Sequence, residues 1–413
     1  MECISLKNNP LYEKLLIFTL GLLPIIDSIN GFVMSTTGIS IGVIIRLFIL
    51  ILLFKYTYER NNFQRIIYIS IFIFYFVFVS IYTFFIHQQV GGMAKELMSL
   101  SKLFFILLLI ESYRNKIKDY KRGLKLIENI IDLNIILFPL CIIIPTILDV
   151  GLDVYSGGIG SKGFFNSNNE VAMALGILFI FSIDNLYKNT NLVNTIKILL
   201  IIISTILLSS KIGYAIPIVV TLIYTAKSLF RIKEKGKFLS YIAISFIIVA
   251  ILLIGKYRYI LMEMYKRQEY LKNISGSLVY VTLGGRNQLL AYMNEAFSNL
   301  KYNFIGIIFG IGMLNEQILL GKYLSMPLKL IEMDFFDLFY SYGIVGMLIV
   351  YGYFISIMYR YGTIKENGFK FTLALIAILT LGGIGGHVFW NAIGGSILAI
   401  VCCGMISQYK CVN

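Results

Sequence analysis

The 413-residue chain is poor in the side chains that soluble folds and most polar catalysis draw on. It holds two histidines, one tryptophan and six prolines, and only 14% of its residues are charged. With 58% hydrophobic residues and a mean hydropathy of +0.81, that scarcity excludes an ordinary soluble globular domain. The five cysteines, Cys3, Cys141, Cys402, Cys403 and Cys411, show no C-x-x-C spacing. A disulfide framework and a zinc site are therefore not expected. No P-loop, D-x-D motif, internal repeat or low-complexity tract appears. No small-residue cleavage site follows the first apolar run, so that run is expected to stay as a span. Acid is scarce too: 22 Asp and Glu face 36 Lys and Arg, a net charge of +14. No nucleic-acid motif accompanies the excess. Basic cytoplasmic loops of a polytopic membrane protein account for it better.

What the chain has in abundance is long apolar runs. A hydrocarbon core about 30 Å thick needs about 20 apolar residues per helix. On that measure the sequence predicts an all-α polytopic bundle of twelve spans, near 12–30, 38–57, 66–86, 96–112, 126–148, 169–185, 195–209, 211–228, 238–255, 333–358, 369–386 and 388–408. Lys and Arg alternate between the short connections, which puts both termini in the cytoplasm of a multi-pass plasma-membrane protein. The chain divides into 1–255 with nine spans, a loop at 256–331, and 332–413 with three spans, all one membrane domain. The high Ile, Lys and Asn content points to an AT-rich bacterial genome.

The loop is then extracytoplasmic, although nine Lys and Arg face only four Glu across it. Such unforced positive charge suggests an anionic partner. Gly284-Gly285-Arg286-Asn287 opens an amphipathic stretch in which Leu289, Leu290, Met293, Ala296 and Phe297 recur at helical spacing. Glycines beside a helix start let backbone N–H groups approach an anion, and arginine offers a bidentate fork. The segment 304–312 is apolar but too short to span.

Other polar groups fall at the same expected face. Ser209-Ser210-Lys211 joins two spans almost without a loop, and Lys211 either snorkels or binds an anion. In Gly163-Phe-Phe-Asn-Ser-Asn-Asn-Glu170, Asn169 and Glu170 either cap a helix or bind sugar hydroxyls under the glycine-rich loop 157–163. Glu332, Asp334 and Asp337 open the tenth span, either as first-turn acids or as bases. Their spacing fits no calcium loop or di-metal site. His387 is either a turn residue beside the Trp390 anchor or a base. His87 gives less to argue from. Asp27 and Arg46 are ionisable groups in apolar surroundings and are expected to pair.

Taken together, these pieces resemble the O-antigen and capsule repeat-unit polymerases of the Wzy type, within the O-antigen ligase/polymerase superfamily. The resemblance runs through Leu23-Pro-Ile-Ile-Asp27, the 163–170 stretch, Ser209-Ser210-Lys211, Gly285-Arg286, the segment 304–312, Glu332 to Asp337, Tyr342-Gly343 to Gly346, and Gly386-His387. It implies a GT-C-like membrane glycosyltransferase that uses neither metal nor other cofactor. Growing glycan on undecaprenyl diphosphate would pass to a sugar hydroxyl of a new lipid-linked repeat unit. Arg286, Glu332, Asp334 and His387 would be catalytic. Lys211, Ser210, Asn169, Glu170, Gly285 and Asn287 would bind substrate. Lys211 stands where the family commonly has arginine. A flippase and a chain-length regulator of the same pathway, and membrane lipid, are the implied partners. Two alternatives stay open: a ligase with another acceptor, and a flippase or transporter for lipid-linked glycans. A transporter would be expected to show two related halves, which are not visible.

Overall fold

The computed structural model describes residues 9–59, 63–87, 92–155, 159–229, 235–254, 258–300, 303–326, 328–363 and 366–412. Cys3, Lys256 and the Gly157-Gly158 part of the glycine-rich loop lie outside the described residues. The helices run α1 Pro10–Leu16, α2 Leu23–Thr37, α3 Ile41–Tyr58, α4 Phe63–His87, α5 Gly92–Lys116 and α6 Tyr120–Ile147. A short hairpin follows, β1 Asp153–Tyr155 and β2 Ile159–Ser161. Next come α7 Asn168–Lys188, α8 Leu192–Leu208, α9 Lys211–Leu229, α10 Lys235–Ile254, α11 Arg258–Ser275, α12 Leu278–Leu283 and α13 Arg286–Ser298. The chain ends with α14 Asn303–Phe309, α15 Met313–Tyr323, α16 Asp334–Tyr361, α17 Glu366–Gly385 and α18 Ala392–Val412.

Seven of these helices are long and apolar enough to cross a membrane: α3, α4, α6, α7, α16, α17 and α18. Pro10–Gly21 and Leu23–Thr37 form a pair bent by 52° that makes an eighth if counted as one span. The bend has a local cause. A π-helical stretch, Ile17–Gly21, meets Pro24, which cannot donate a backbone hydrogen bond. The other four expected spans are helical as well, in α5, α8, α9 and α10, but are not among the seven. Of these, α8 has only 17 residues and α5 carries six charged groups.

Burial shows which helices form the centre. The apolar windows of α7 and α18 are 94% and 89% buried, against 28% for α3. Between them α7 and α18 touch α5, α6, α8, α9, α16 and α17. The outer helices turn Phe48, Ile51 and Phe74 outward, as lipid-facing helices do.

The segment 256–331 departs from the single short helix expected of it. It folds into α11 to α15, and the last two dock against α16. This docking explains two glycine motifs. Gly310 and Gly343 have φ of 82° and 67°, a region open to glycine. A Cβ at Gly310 would lie 2.2 Å from the Ser341 carbonyl oxygen, and one at Gly343 would lie 2.2 Å from that of Ile308. Without side chains, the two backbones pair through Ile311 N to Tyr340 O (2.9 Å) and Gly312 N to Ser341 O (2.8 Å). Glu96 of α5 caps the start of α15 by accepting from the Met313 and Leu314 N–H groups at 3.0 and 2.8 Å.

Candidate functional site

The two glycines before Arg286 fix its place. Gly284 (φ 64°) ends α12 and Gly285 (φ 87°) precedes α13, so the chain reverses within two residues. Arg286 therefore enters α13 at its first turn. Its Nη1 donates to the Leu283 carbonyl (3.2 Å) and its Nη2 to Glu332 Oε2 (3.0 Å). Its Nε is buried and has no hydrogen-bond partner. Gly385, at the end of α17, leaves room for the guanidinium: a Cβ there would sit 3.5 Å from Nη1.

Glu332 bridges two cations. Its Oε1 accepts from Lys329 at 2.7 Å, while Oε2 faces Arg286. Burial works against its charge, but Lys329 and Arg286 prevail and hold the carboxyl below its usual range. Its backbone is left-handed (φ 66°), a conformation an L residue keeps only where the surroundings impose it. Ser209, which ends α8, is left-handed too (φ 52°) and makes the tight turn into α9.

These residues share one cavity of ≈ 530 Å³. It forms where α8 and α17 end and where α7, α9 and α13 begin. Arg286, Glu332, Lys211, Ser210 and Asn169 all line it. So do Lys162, Asn166 and Ser167, from the connection between β2 and α7, and Asn168 at the start of α7. Lys211 Nζ donates to the Val281 carbonyl, tying α9 to α12. One wall is thus cationic and another is rich in amides and hydroxyls, a lining suited to an anion carrying sugar.

The remaining candidates sit around this cavity and do not line it. Gly285 and Asn287 flank Arg286. Glu170, in the first turn of α7, is 6% exposed, and its Oε2 has no partner. Asp334 is fully buried and anchors a turn: its Oδ2 accepts from the Val388 and Phe389 N–H groups at 2.6 and 3.2 Å. Asp337 likewise accepts from Ile331 (3.1 Å) and Met333 (3.0 Å). His387, two residues past the lining residue Gly385, has Nδ1 3.7 Å from both Asp334 Oδ1 and Asp337 Oδ2. Burial disfavours the imidazolium, but the two aspartates more than offset it, and the His387 pKa is pushed up to about 9.

Asp334, Asp337 and His387 bring three donor atoms within 4.8 Å of one another, enough to hold a metal ion. Asp334 Oδ2 and both Asp337 oxygens already accept backbone N–H groups. Asp334 Oδ1 and His387 Nδ1 have no hydrogen-bond partner, so the aspartates hold the imidazole by charge. Asp27 and Arg46 do pair, as expected.

Several polar residues have no counterpart among the sequence candidates. Lys162 and Lys329 read as ordinary loop lysines, but Lys162 lines the cavity and Lys329 pairs with Glu332. Glu316 is fully buried, accepts from Ser341 and leaves Oε1 without a partner. Burial and the nearby Asp337 push its carboxyl well above the usual range. Its only sequence signal is an acid inside an apolar stretch.

The fold and the site define a helical membrane protein with a basic, polar cavity among its helix ends. No protein-family model matches the chain, and no curated protein does either.

Proposed function

We propose that the protein is a bacterial plasma-membrane glycosyltransferase. It polymerises undecaprenyl-diphosphate-linked repeat units into a surface polysaccharide, as the Wzy-type polymerases do. In this reading the twelve helical stretches all span the bilayer in a GT-C-like arrangement, with both termini cytoplasmic and the cavity opening outward. A single observation supports it above the others: three cations, Arg286, Lys211 and Lys162, meet Asn166, Asn169 and Ser210 around one hollow.

The chemistry follows from the lining. The acceptor hydroxyl oxygen attacks the anomeric carbon of the donor glycan. The bond from that carbon to the diphosphate oxygen breaks, and the electron pair leaves with the diphosphate. Arg286 and Lys211 stabilise the charge that develops there. The incoming diphosphate draws Arg286 and Lys329 away from Glu332. The freed carboxylate then regains its basicity and takes the hydroxyl proton. His387, held as an imidazolium by Asp334 and Asp337, already carries its proton and leaves the role of base to Glu332.

The test is Arg286→Ala in a strain that makes the polysaccharide. At normal protein level it should leave single repeat units and no ladder. Arg286→Lys should also be poor, because it loses the bidentate fork. Wild-type chain lengths in Arg286→Ala would refute the assignment.

A further inference from the structure

We propose that a small cavity among α3, α5 and α18 is a second anion seat. There Lys102, Arg46 and Asn391 take one oxyanion oxygen of a lipid-borne phosphate. The proposal rests on reading the molecule as a transferase with two lipid-linked substrates, because the acceptor glycan then carries a phosphate of its own.

The cavity is lined by Arg46, Ser101, Lys102 and Asn391 with apolar neighbours. Its polar groups that remain unengaged are donors. Arg46 is paired on one side with Asp27. Lys102 lies ten residues into α5; Glu170 acts on it electrostatically, but no described residue accepts a hydrogen bond from it. Asn391 Oδ1 accepts from the Ile393 N–H at 2.8 Å, which leaves its NH₂ group to donate. Ser101 Oγ donates to the Met98 carbonyl and so presents its lone pairs elsewhere than as a counter-charge. An ammonium without an acceptor inside an apolar bundle is costly, and a guanidinium beside it adds to the cost. A negative oxygen relieves both.

Size narrows the ligand. The cavity measures ≈ 20 Å³. That is room for about one water-sized group. A whole phosphate does not fit, so its remaining oxygens and its lipid stay outside the protein. Position links the seat to the large cavity. Glu170 interacts electrostatically with both Lys102 and His387. Asn391, which lines the seat, follows His387 by four residues, and Gly385, which lines the large cavity, precedes His387 by two. A donor phosphate at Arg286 and an acceptor phosphate at Lys102 would then both lie close to the turn between α17 and α18.

Native mass spectrometry of the full chain in detergent, titrated with undecaprenyl phosphate, reads the seat directly. The wild type should bind two lipids, and Lys102→Met and Arg286→Ala one each. Lys102→Met removes a charge that has no hydrogen-bond acceptor and should fold about as well as the parent. Ser101→Leu, which fills the cavity and keeps both cations, should also bind one. Loss of a lipid in Arg286→Ala, with two still bound in Lys102→Met and Ser101→Leu, overturns the seat and leaves the large cavity standing. Two lipids bound in every variant overturn both. Phosphatidylglycerol that displaces the Lys102-dependent lipid, where phosphatidylcholine does not, assigns the seat to anionic headgroups. Resistance to both assigns it to the polyprenyl carrier.

Discussion

Replacing Glu332 by glutamine separates anion binding from catalysis. The substitution keeps size and hydrogen bonding and removes only the charge that Arg286 and Lys329 now share. Two unit charges about 4 Å apart attract by about 4 kcal/mol at an effective dielectric of about 20. Water at the partly exposed pairs and ordering of the side chains cut each net pair to about 1 kcal/mol. The side chains of Arg286, Lys329 and Glu332 are 16%, 28% and 32% exposed, so this discount applies. An incoming diphosphate must first break both pairs. Without them, inorganic pyrophosphate should bind about 10- to 30-fold tighter, the equivalent of roughly 1.5–2 kcal/mol. Chain extension should fall by about 10²–10⁴, because the proposed proton acceptor is gone. Isothermal titration of the detergent-solubilised protein with pyrophosphate measures the first effect. A glycan ladder made from lipid-linked repeat units measures the second. Unchanged or weaker pyrophosphate binding would show that Glu332 does not occupy the anion's place. Wild-type extension would remove it as the base.

Two further outcomes test the surroundings of the cavity. The pKa of His387 rises from 6.5 to about 9, so its stabilising charge is fully present below about 6.5 and is lost as pH climbs through about 9. Wild-type thermal stability should therefore drop between about pH 7 and 9.5, by at most about 3 kcal/mol. His387→Gln should flatten that limb, and an equal drop in the variant would refute the pairing with Asp334 and Asp337. Gly343→Ala should cost more than about 3 kcal/mol, because it combines left-handed strain with overlap against the Ile308 carbonyl. A loss under about 1 kcal/mol in thermal unfolding would show that α14 and α16 can separate freely.

The bundle was legible because its signal is local. An apolar run of span length needs no distant partner to be recognised, and the helices follow those runs closely even where the length or charge of α5 and α8 falls short. The Asp27–Arg46 pair could be anticipated for a related reason, since two lone charges in apolar helices have few other partners. Arg286 was legible through its glycines, which announce a left-handed turn before a helix. Its contact with Glu332 spans 46 residues and depends on how α13 docks. The same limit explains Asp334, which reads in the sequence as either a first-turn acid or a base and holds a turn 54 residues further on. Of the five helices of 256–331, α13 was legible from the Leu289-to-Phe297 spacing; the other four were missed because their apolar faces are short, and α14 and α15 take their places by docking against α16.

The site's construction argues for exchange of charge more than for a fixed empty pocket. Four non-glycine residues are left-handed among those described, and two of them, Ser209 and Glu332, line the large cavity. Such a backbone persists only where its surroundings impose it. On the proposed reading, a diphosphate that takes up Arg286 and Lys329 leaves the Glu332 carboxylate without its two ion pairs. It has reason to move, and moving frees the oxygen that accepts the proton. On the proposed reading, binding the leaving group and arming the base are one event.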